Sequence, residues 1–392
     1  MISFSETEQS FIQQHLHADI TELLLHSKAF PHERMRELVQ QIQARQKAKD
    51  KLPSWYANPD IVFPSLLSVE QSSSEITAKY KANLVSGNRF ADLTGGMGVD
   101  FQHISQNSNE SFYIERNPQL AELTAHNLGL MGVINAQFLS QDSLTWLQQT
   151  DTKFDWIYLD PARRGDANQK VVRLKDCEPN IVQVKDLLFS KTEHILLKAS
   201  PLLDIDLAIR SLACVAHVHI VAVENEVKEV LFCLQQQSEN EATIIATNLT
   251  KIDFQQFIFR RSDEQTASFQ TGLLGKYLYE PNAAIMKSGA FKLIGERFGL
   301  HKIHLHSHLY TSNEKVPNFA GRSFEIDAVV KLDKKELRSY LPSNQANIAI
   351  RNFPMTVAQI RQQTGIREGG NIYLFATTDW NDKKIVLVTH KV

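Results

Sequence analysis

The chain has 392 residues, enough for two or three domains. Hydrophobic residues make up 43% of it and charged residues 22%, the proportions of a globular chain that folds in water. The formal net charge of −2 excludes a globally basic nucleic-acid binder, so any polyanion has to bind a local basic patch.

The sequence also predicts the cellular compartment of the protein and whether it spans a membrane. The first residues are polar and acidic, which argues against a secretory signal peptide, and no apolar run approaches the 18 residues of a membrane span. Three scattered cysteines form neither a disulfide framework nor a C-x-x-C metal site. We therefore expect a cytoplasmic protein without a membrane-spanning segment.

Residues 1–87 are predicted to be a helical N-terminal region. Apolar residues recur every three to four positions from Glu8 to Leu25, and a second helical pattern runs from Arg34 to Leu52. Prolines between residues 53 and 64 indicate an extended link. A serine cap then predicts a helix over 68–81, and its Glu70-Gln71-Ser72-Ser73 segment either closes over a ligand or is a simple capped linker.

A glycine-rich turn follows the apolar stretch that ends at Asp92 and predicts a strand that turns tightly into a helix. Three interpretations are open: a dinucleotide phosphate loop, the nucleoside loop of S-adenosylmethionine (SAM) enzymes, or an ordinary turn. The dinucleotide fingerprint, counted from Gly96, puts Phe101 where a small residue is needed. The pattern Asp92-x-x-Gly95-Gly96-x-Gly98 instead resembles motif I of class I SAM-dependent methyltransferases.

A second acid favours a nucleoside ligand. The short strand pattern 111–115 ends in Glu115, about 20 residues after the glycine turn, where a βαβ unit delivers a carboxylate to a ribose diol. Both carboxylate oxygens can accept hydrogen bonds from the two ribose hydroxyls. Pro118 predicts the start of a helix that runs to about Met131. The alternative is an exposed glutamate without a ligand.

The central block is predicted to be one doubly wound parallel sheet. Its candidate strands, separated by helix-length stretches, are 88–93, 111–115, 136–139, 154–160, 193–199 and 216–222. A short turn at 224–226 then predicts a hairpin that adds residues 227–233 as an antiparallel last strand. This reversed strand is typical of class I methyltransferases, whereas a dinucleotide fold ends in parallel order.

Two further strand ends carry candidate site residues. Asp142, followed by Ser143, can accept a hydrogen bond from the adenine amine, and it can also be the N-cap of a helix over 143–149. Asp160-Pro161-Ala162-Arg163 follows the fourth strand, at the edge where ligands bind in open α/β sheets. The stretch 196–201, at the end of the fifth strand, is a further candidate for contact with the substrate.

The Asp160 loop resembles the Asp/Asn-Pro-Pro-Tyr motif of enzymes that methylate exocyclic amines. In those enzymes the acidic or amide side chain and a backbone carbonyl hold the amine, and an aromatic ring stacks on the base. Here Ala162 replaces the second proline and Arg163 replaces the aromatic residue. Five basic residues against one aspartate in 163–175 suit a phosphate-bearing substrate or form a solvated loop.

After about residue 240 the pattern predicts a mixture of strands and helices, and residues 322–392 are predicted to be a compact α+β module. Strands are expected at 243–247, 254–259, from Gly272 onward, and at 323–331, 348–353, 372–377 and 384–389, with helices over 281–298 and 358–364. Alternation would place His304, His306 and His308 on one strand face. No cysteine or acid cluster accompanies them, so we predict no metal site.

Taken together, the chain resembles a family of bacterial class I SAM-dependent methyltransferases with a THUMP-like C-terminal domain. The stretches that carry the resemblance are 70–73, 92–100, 160–164, 279–283 and 351–354. It implies a methyltransferase domain at 88–240, a connecting segment at 241–321 whose ferredoxin-like part lies around 277–320, and a THUMP-like domain at 322–392. Because true THUMP domains belong to RNA-modifying enzymes, the resemblance also implies an RNA substrate, tRNA or rRNA.

The sequence thus predicts a SAM-dependent methyltransferase that modifies a base in RNA. The predicted cofactor residues are Asp92, Thr94, Gly95, Gly96, Gly98, Glu115, Asp142 and Ser143. The predicted catalytic residues are Asp160, Pro161, Ala162 and Arg163. The alternative is a non-catalytic SAM-sensing or RNA-binding protein that keeps the fold, an alternative suggested by the departures at Ala162 and Arg163.

Overall fold

The computed structural model describes residues 4–26, 29–163, 173–238 and 240–392. The chain divides into two compact units, and each is described by itself. The first unit comprises residues 1–217 and 230–240, and the second comprises residues 218–229 and 241–392. No helix within the described ranges is long and apolar enough to cross a membrane.

The first unit begins with six helices: α1 (Glu6–Gln14), α2 (Ile20–His26), α3 (His32–Lys51), α4 (Pro53–Ala57), α5 (Leu66–Gln71) and α6 (Glu75–Ala82). The predicted helix from Glu8 to Leu25 is wrong, because the chain leaves the helix after Gln14. Asp19 starts α2 afresh, since its carboxylate accepts the N–H groups of Thr21 and Glu22. The apolar stripe nevertheless packs as one cluster around Ile12, Leu38 and Ile42.

The predicted continuous helix over 68–81 is also two helices. Ser72 ends α5, and the side chain of Ser74 accepts the Thr77 N–H as the N-cap of α6. The predicted extended link contains the short helix α4, in which Pro53 occupies the first turn. Trp55 of α4 is fully buried and donates its indole N–H to Gln102 Oε1 at 2.6 Å.

The sheet that carries the glycine-rich turn has the predicted strands. They are β1 (Arg89–Asp92), β2 (Glu110–Glu115), β3 (Ala136–Ser140), β4 (Phe154–Leu159), β7 (Thr192–Ala199), β8 (Val215–Val223) and β9 (Glu226–Gln235), with β5 (Ala162–Arg163) and β6 (Cys177–Glu178) forming a separate small ladder. The order runs β8–β9–β7–β4–β1–β2–β3. Strands β7, β4, β1, β2 and β3 are parallel, and β9 is antiparallel to β7. The predicted reversal of the last strand is confirmed.

Helices connect these strands as expected for a doubly wound sheet. They are α7 (Val99–Ile104), α8 (Pro118–Leu130), α9 (Ser143–Gln149), α10 (Ile181–Phe189) and α11 (Ile205–Leu212), with short 3-10 turns at Ser105–Asn107 and Leu174–Asp176. Pro118 occupies the first turn of α8, and Asn117 caps it by accepting two backbone N–H groups. The carboxyl ends of β1, β2 and β4 therefore lie side by side, and the candidate site is at this edge.

The second unit carries a hairpin of β10 (Thr243–Leu249) and β11 (Phe254–Arg260), the helix α12 (Arg261–Thr266), and a seven-stranded sheet. The strands of that sheet are β12 (Tyr277–Pro281), β13 (His301–Lys302), β14 (Tyr310–Ser312), β15 (Gly321–Val330), β16 (Asn347–Arg351), β17 (Ile372–Thr378) and β18 (Lys384–Lys391). Their order is β13–β14–β12–β15–β18–β17–β16. The sheet thus runs without a break across residue 321.

The remaining helices are α13 (Ala283–Ser288), α14 (Leu293–Arg297), α15 (Lys334–Arg338) and α16 (Val357–Thr364). The predicted helix over 281–298 is wrong, because Gly289 takes a left-handed conformation (φ +81°) that ends α13. The strand predicted from Gly272 begins only at Tyr277. The histidine pattern is also not a strand face, since β13 contains only His301 and Lys302 and the chain turns at residues 304–307.

One apolar core and one ion-pair group hold the seven-stranded sheet together across residue 321. Leu278, Ile303 and Leu309 pack in the same buried cluster as Phe324, Phe375 and Leu387. The buried carboxylate of Glu280 accepts hydrogen bonds from Arg322 and from Arg351, the latter at 2.5 Å. Two of the motif stretches named above, 279–283 and 351–354, therefore meet directly.

Candidate active site

Close packing explains why glycines follow β1. A Cβ at Gly95 would lie 2.4 Å from the ring of Tyr113, and one at Gly98 would lie 2.6 Å from Thr124 Cγ2. Gly98 also needs its left-handed conformation (φ +78°) to start α7. Gly96 is different, because a Cβ there would meet only the Thr94 carbonyl at 3.5 Å. The loop is therefore tight against β2 and α8 and open at Gly96.

Asp92 ends β1 as a buried carboxyl group, 1% exposed. Its Oδ1 accepts the N–H of Thr94 at 2.9 Å and the Thr94 hydroxyl at 3.2 Å. Burial raises its pKa to about 8, and the nearby charges of Asp100 and Asp160 act in the same direction. Asp92 is therefore largely protonated at pH 7, and a cationic ligand nearby would favour its ionised form.

Glu115 lies at the end of β2 beside the glycine loop. Its Oε2 accepts the Gly96 N–H at 3.0 Å, and its Oε1 accepts the Asn117 N–H at 2.8 Å. Tyr113 and Thr124 hold the other face of the loop by donating their hydroxyls to the Gly96 carbonyl, at 2.5 and 3.0 Å. Each carboxylate oxygen of Glu115 retains acceptor capacity for a further donor.

Asp142 lies at the end of β3 and is exposed. It is the N-cap of α9, which begins at Ser143, and its Oδ1 accepts both the N–H and the hydroxyl of Thr145 at 2.8 Å. The Thr145 N–H holds the pKa of Asp142 below its ordinary value. The predicted capping role is therefore observed, and the adenine contact stays a prediction.

Asp160 follows β4 directly beside the glycine loop. Its backbone N–H donates to the Thr94 hydroxyl at 2.7 Å, and its side chain is 39% exposed. Pro161 is partly buried and Ala162 is exposed. Ala162 and the backbone of Arg163 pair with Glu178 and Cys177, and Arg164 and Lys170 lie outside the described residues. Thr94 thus links the loop after β1 to the loop after β4.

A buried charged cluster at the same edge was not predicted from the sequence. Asp100 of α7 accepts the hydroxyls of Tyr158 and Ser73, at 2.7 and 2.8 Å, and pairs with Lys81 Nζ at 3.2 Å. Lys198 of β7 lies 3.9 Å from Asp100 Oδ2 and donates to Asp160 Oδ2 at 2.6 Å. The cluster links α6, α7, β4 and β7 to the Asp160 loop.

Burial by itself would raise the pKa of Asp100, but the charges of Lys81 and Lys198 and the two hydroxyl donors outweigh it and lower the pKa. Asp100 is therefore ionised in the folded protein. The sequence offered two partial signals. Ser73 lies in the segment 70–73, and Lys198 is a charged residue that follows three buried apolar residues near the end of a strand. No sequence pattern points to Lys81 as a member of the cluster.

The sheet order with its reversed strand, the glycine loop after β1 and the acids at the ends of β1 and β2 define a class I methyltransferase. Residues 277–319 match the model of a ferredoxin-like domain, and residues 321–391 match a THUMP domain-like model. A crystal structure from Porphyromonas gingivalis W83, described as a "putative methyltransferase", is 33% identical, with both chains covered completely and a TM-score of 0.89.

Two curated relatives agree with this class. A Mycobacterium tuberculosis protein described as an "uncharacterized S-adenosylmethionine-dependent methyltransferase" is 21% identical over 303 residues, which is 76% of this chain and 80% of that protein. An "uncharacterized RNA methyltransferase" of Mycoplasma mobile is 32% identical over 87 residues, 21% of this chain and 24% of that protein. The chain belongs to the family of the P. gingivalis protein, SAM-dependent methyltransferases with ferredoxin-like and THUMP-like segments. The resemblance, the fold class and the cofactor predicted from the sequence are confirmed.

The residues at this edge fit SAM. The open face of Gly96 leaves room at the loop, and the carboxylate of Glu115 can accept the ribose hydroxyls. Asp92, which lies beside the loop, suits a ligand that carries a sulfonium and an ammonium charge, because such a ligand favours its ionised form. The chain holds two of these groups in place before the ligand binds, because backbone N–H groups and a hydroxyl already fix the carboxylates of Asp92 and Glu115.

Glu115→Ala is expected to weaken SAM binding by about 1–3 kcal/mol, the loss that accompanies the removal of hydrogen bonds to a charged acceptor. The test is calorimetric titration with SAM and with S-adenosylhomocysteine. Glu110→Gln is the matched control, because Glu110 starts the same strand at the opposite edge. Wild-type affinity in Glu115→Ala would refute the ribose assignment.

Proposed function

We propose that the protein methylates an exocyclic amine of a base in RNA. Asp92, Thr94, Gly95, Gly96, Gly98, Glu115, Asp142 and Ser143 bind the cofactor in this proposal. The acceptor lies against the Asp160 loop, which comprises Asp160, Pro161, Ala162 and Arg163. SAM, when bound, supplies a methyl group that its sulfonium already activates.

The observation that supports this assignment most strongly is the hydrogen bond from the Asp160 N–H to the Thr94 hydroxyl. Thr94 belongs to the loop after β1 and also donates to Asp92, so one side chain fixes the relative position of the two loops. Methyl transfer needs the acceptor atom in line with the sulfonium methyl, and orientation of this kind supplies a large part of the rate. A short link between the two loops serves that requirement.

The role of Asp160 follows from its chemistry. A carboxylate is acceptor-only, so it can hold an N–H of the amine and orient the nitrogen lone pair toward the methyl group. The Pro161 carbonyl is a second acceptor for the other N–H. Ala162 and Arg163 do not offer an aromatic stacking surface, so the base has to be held by other contacts, among which the basic stretch 163–175 can supply phosphate contacts.

Three observations favour RNA as the substrate class. The M. mobile relative is described as an RNA methyltransferase, and the C-terminal segment matches a THUMP domain-like model. The stretch 163–175 is basic in a chain whose net charge is −2, and Arg173 and Lys175 within it are exposed. A locally basic stretch that follows Asp160 in the chain is suited to a polyanion.

The test of this proposal is incubation of the protein with SAM labelled in its methyl group and three separate pools: total RNA from cells lacking the gene, total protein, and small-molecule extract. Label is expected in the RNA pool, in a modified base with a methylated exocyclic amine after nuclease digestion. RNA from cells that carry the gene is the matched control, because its sites are already methylated. Label confined to protein or to small molecules would overturn the RNA assignment.

A further inference from the structure

The carboxylate of Asp160 already has a charged partner. Lys198 Nζ donates to its Oδ2 at 2.6 Å, and the side chain of Lys198 is only 12% exposed while that of Asp160 is 39% exposed. A largely buried ammonium group therefore binds one carboxylate oxygen of Asp160, the residue that orients the methyl acceptor in the proposed function. Among the described residues no hydrogen-bond donor lies on Oδ1, and in the proposed function this is the oxygen that accepts the N–H of the methyl acceptor.

Lys198 also lies close to a second carboxylate, that of Asp100. Its Nζ lies 3.9 Å from Asp100 Oδ2, and Asp100 is fixed by Lys81, Tyr158 and Ser73. Lys81 is completely buried. Among the described residues, two lysines and two aspartates thus form one connected group in which each aspartate has a lysine beside it.

The pairing of Asp160 with Lys198 affects which methyl acceptor the site binds. A lone carboxylate beside a methyl donor would bind an ammonium group strongly, but a protonated amine has no lone pair to accept the methyl group. A carboxylate whose charge is compensated retains its hydrogen-bond acceptor and loses most of its attraction for a cation. The nucleophile that benefits is a neutral nitrogen with an N–H to donate.

We propose that Lys198 is a specificity-determining positioning residue, which binds one oxygen of Asp160 and compensates its charge. The site therefore favours a methyl acceptor with a neutral N–H group and disfavours an ammonium group. The inference rests on the proposed function, in which Asp160 faces the acceptor. It deepens that function by excluding aliphatic ammonium groups, such as a lysine side chain, as the favoured substrate class.

With a neutral nitrogen as the methyl acceptor, every bond, electron pair and proton of the methyl transfer is accounted for. The nitrogen lone pair forms a bond to the methyl carbon, the carbon–sulfur bond breaks, and its electron pair remains on sulfur. The nitrogen becomes cationic and releases one proton to water. Asp160 accepts a hydrogen bond from the amine while the new bond forms.

The test compares two SAM analogues and needs no methyl acceptor. Sinefungin carries an ammonium group in place of the methylated sulfonium centre, so it presents a cation to the acceptor edge, and S-adenosylhomocysteine is the neutral counterpart. Calorimetry gives the ratio of the two dissociation constants for the wild type and for Lys198→Met, Lys198→Arg and Asp160→Ala. Lys198→Gln is measured beside Lys198→Met and replaces it if the methionine variant does not fold.

Lys198→Met is expected to tighten sinefungin binding about tenfold relative to S-adenosylhomocysteine, because Asp160 is freed and a like charge is removed. Lys198→Arg keeps the cation and should keep the wild-type ratio. Asp160→Ala should shift the ratio in the opposite direction. A purely structural role for Lys198 would instead weaken both ligands together.

The outcomes separate this inference from the function on which it rests. If Asp160→Ala leaves the ratio unchanged, Asp160 does not face the methyl position and the proposed function fails at this residue. If Asp160→Ala shifts the ratio as expected but Lys198→Met does not tighten sinefungin, the role assigned to Lys198 is overturned and the proposed function stands.

Discussion

Asp160→Ala is expected to lower the rate of methyl transfer to RNA by about 10²–10³-fold, the cost of losing an orienting group at a reaction centre. The affinity for S-adenosylhomocysteine, which is neutral at sulfur, should change little, because the cofactor residues lie on the loops after β1, β2 and β3. The physical reason is that the acceptor nitrogen loses the group that directs its lone pair. The backbone link from residue 160 to Thr94 does not involve the side chain and should survive the substitution.

The measurement is single-turnover methyl transfer from labelled SAM to total RNA, with the affinity for S-adenosylhomocysteine determined calorimetrically on the same preparation. Asp151→Ala is the matched control, because Asp151 is an exposed aspartate just before β4, at the opposite edge of the sheet. Loss of cofactor binding together with transfer would assign Asp160 to the cofactor site or to the fold. Full activity in Asp160→Ala would show that this loop is not the acceptor site.

The sequence predicts the first unit well because its signals are local. Each strand of the sheet is a short apolar run, and the acids at residues 92, 115, 142 and 160 follow or end such runs. Parallel strands bring their carboxyl ends to one edge, so spacing along the chain converts into proximity in space. Positions of the strands and the reversal of β9 follow from these signals.

Helix interruptions are harder to predict because periodicity records the apolar face and not the continuity of the backbone. The breaks at residues 15–19, 72–74 and 289 leave the apolar pattern nearly unchanged. Each break depends on one local interaction, such as the cap formed by Asp19 or by Ser74, or the left-handed Gly289. A polar residue that can cap a helix is also common inside helices, so the pattern alone does not decide.

The second unit shows a different limit. The strands after 321 were predicted approximately, but their order in the sheet was not, since antiparallel pairing between distant segments leaves no periodic signal. β15 lies between β12 and β18 and contributes Phe324 to the shared core. Removal of residues 322–392 would expose Leu278 and leave β12 without one neighbour. Point variants are therefore more informative than truncation at this boundary.

The charged cluster around Asp100 was the largest omission in the candidate site. Lys81, Asp100 and Lys198 are far apart in the sequence. Asp100 and Lys198 lie in the stretches 92–100 and 196–201 named above, but no sequence pattern connects the three residues. Their burial results from the packing of α6 and α7 against the sheet edge. Only the three-dimensional structure shows that a lysine with no exposed surface lies 3.2 Å from a buried carboxylate.

Asp100→Asn is expected to destabilise the first unit by about 3–5 kcal/mol, the usual cost of removing one partner of a buried ion pair. The amide retains the shape of the side chain but no longer compensates the charge of the fully buried Lys81. Asparagine can still accept the hydroxyls of Tyr158 and Ser73, so the loss is mainly electrostatic. Chemical denaturation followed by tryptophan fluorescence reports it, because Trp55, Trp146 and Trp156 all lie in the first unit.

Two comparisons make this last test specific. Glu110→Gln breaks the exposed pair of Arg89 and Glu110, whose side chains are 52% and 38% exposed, and should change stability by about 1 kcal/mol or less. The folded state lowers the pKa of Asp100, so its contribution is present above the ordinary aspartate range and is lost as the pH falls below about 4. The stability difference between wild type and Asp100→Asn should therefore shrink in acid. A difference that is independent of pH, or no larger than that of Glu110→Gln, would show that Asp100 does not act as the ionised partner of Lys81.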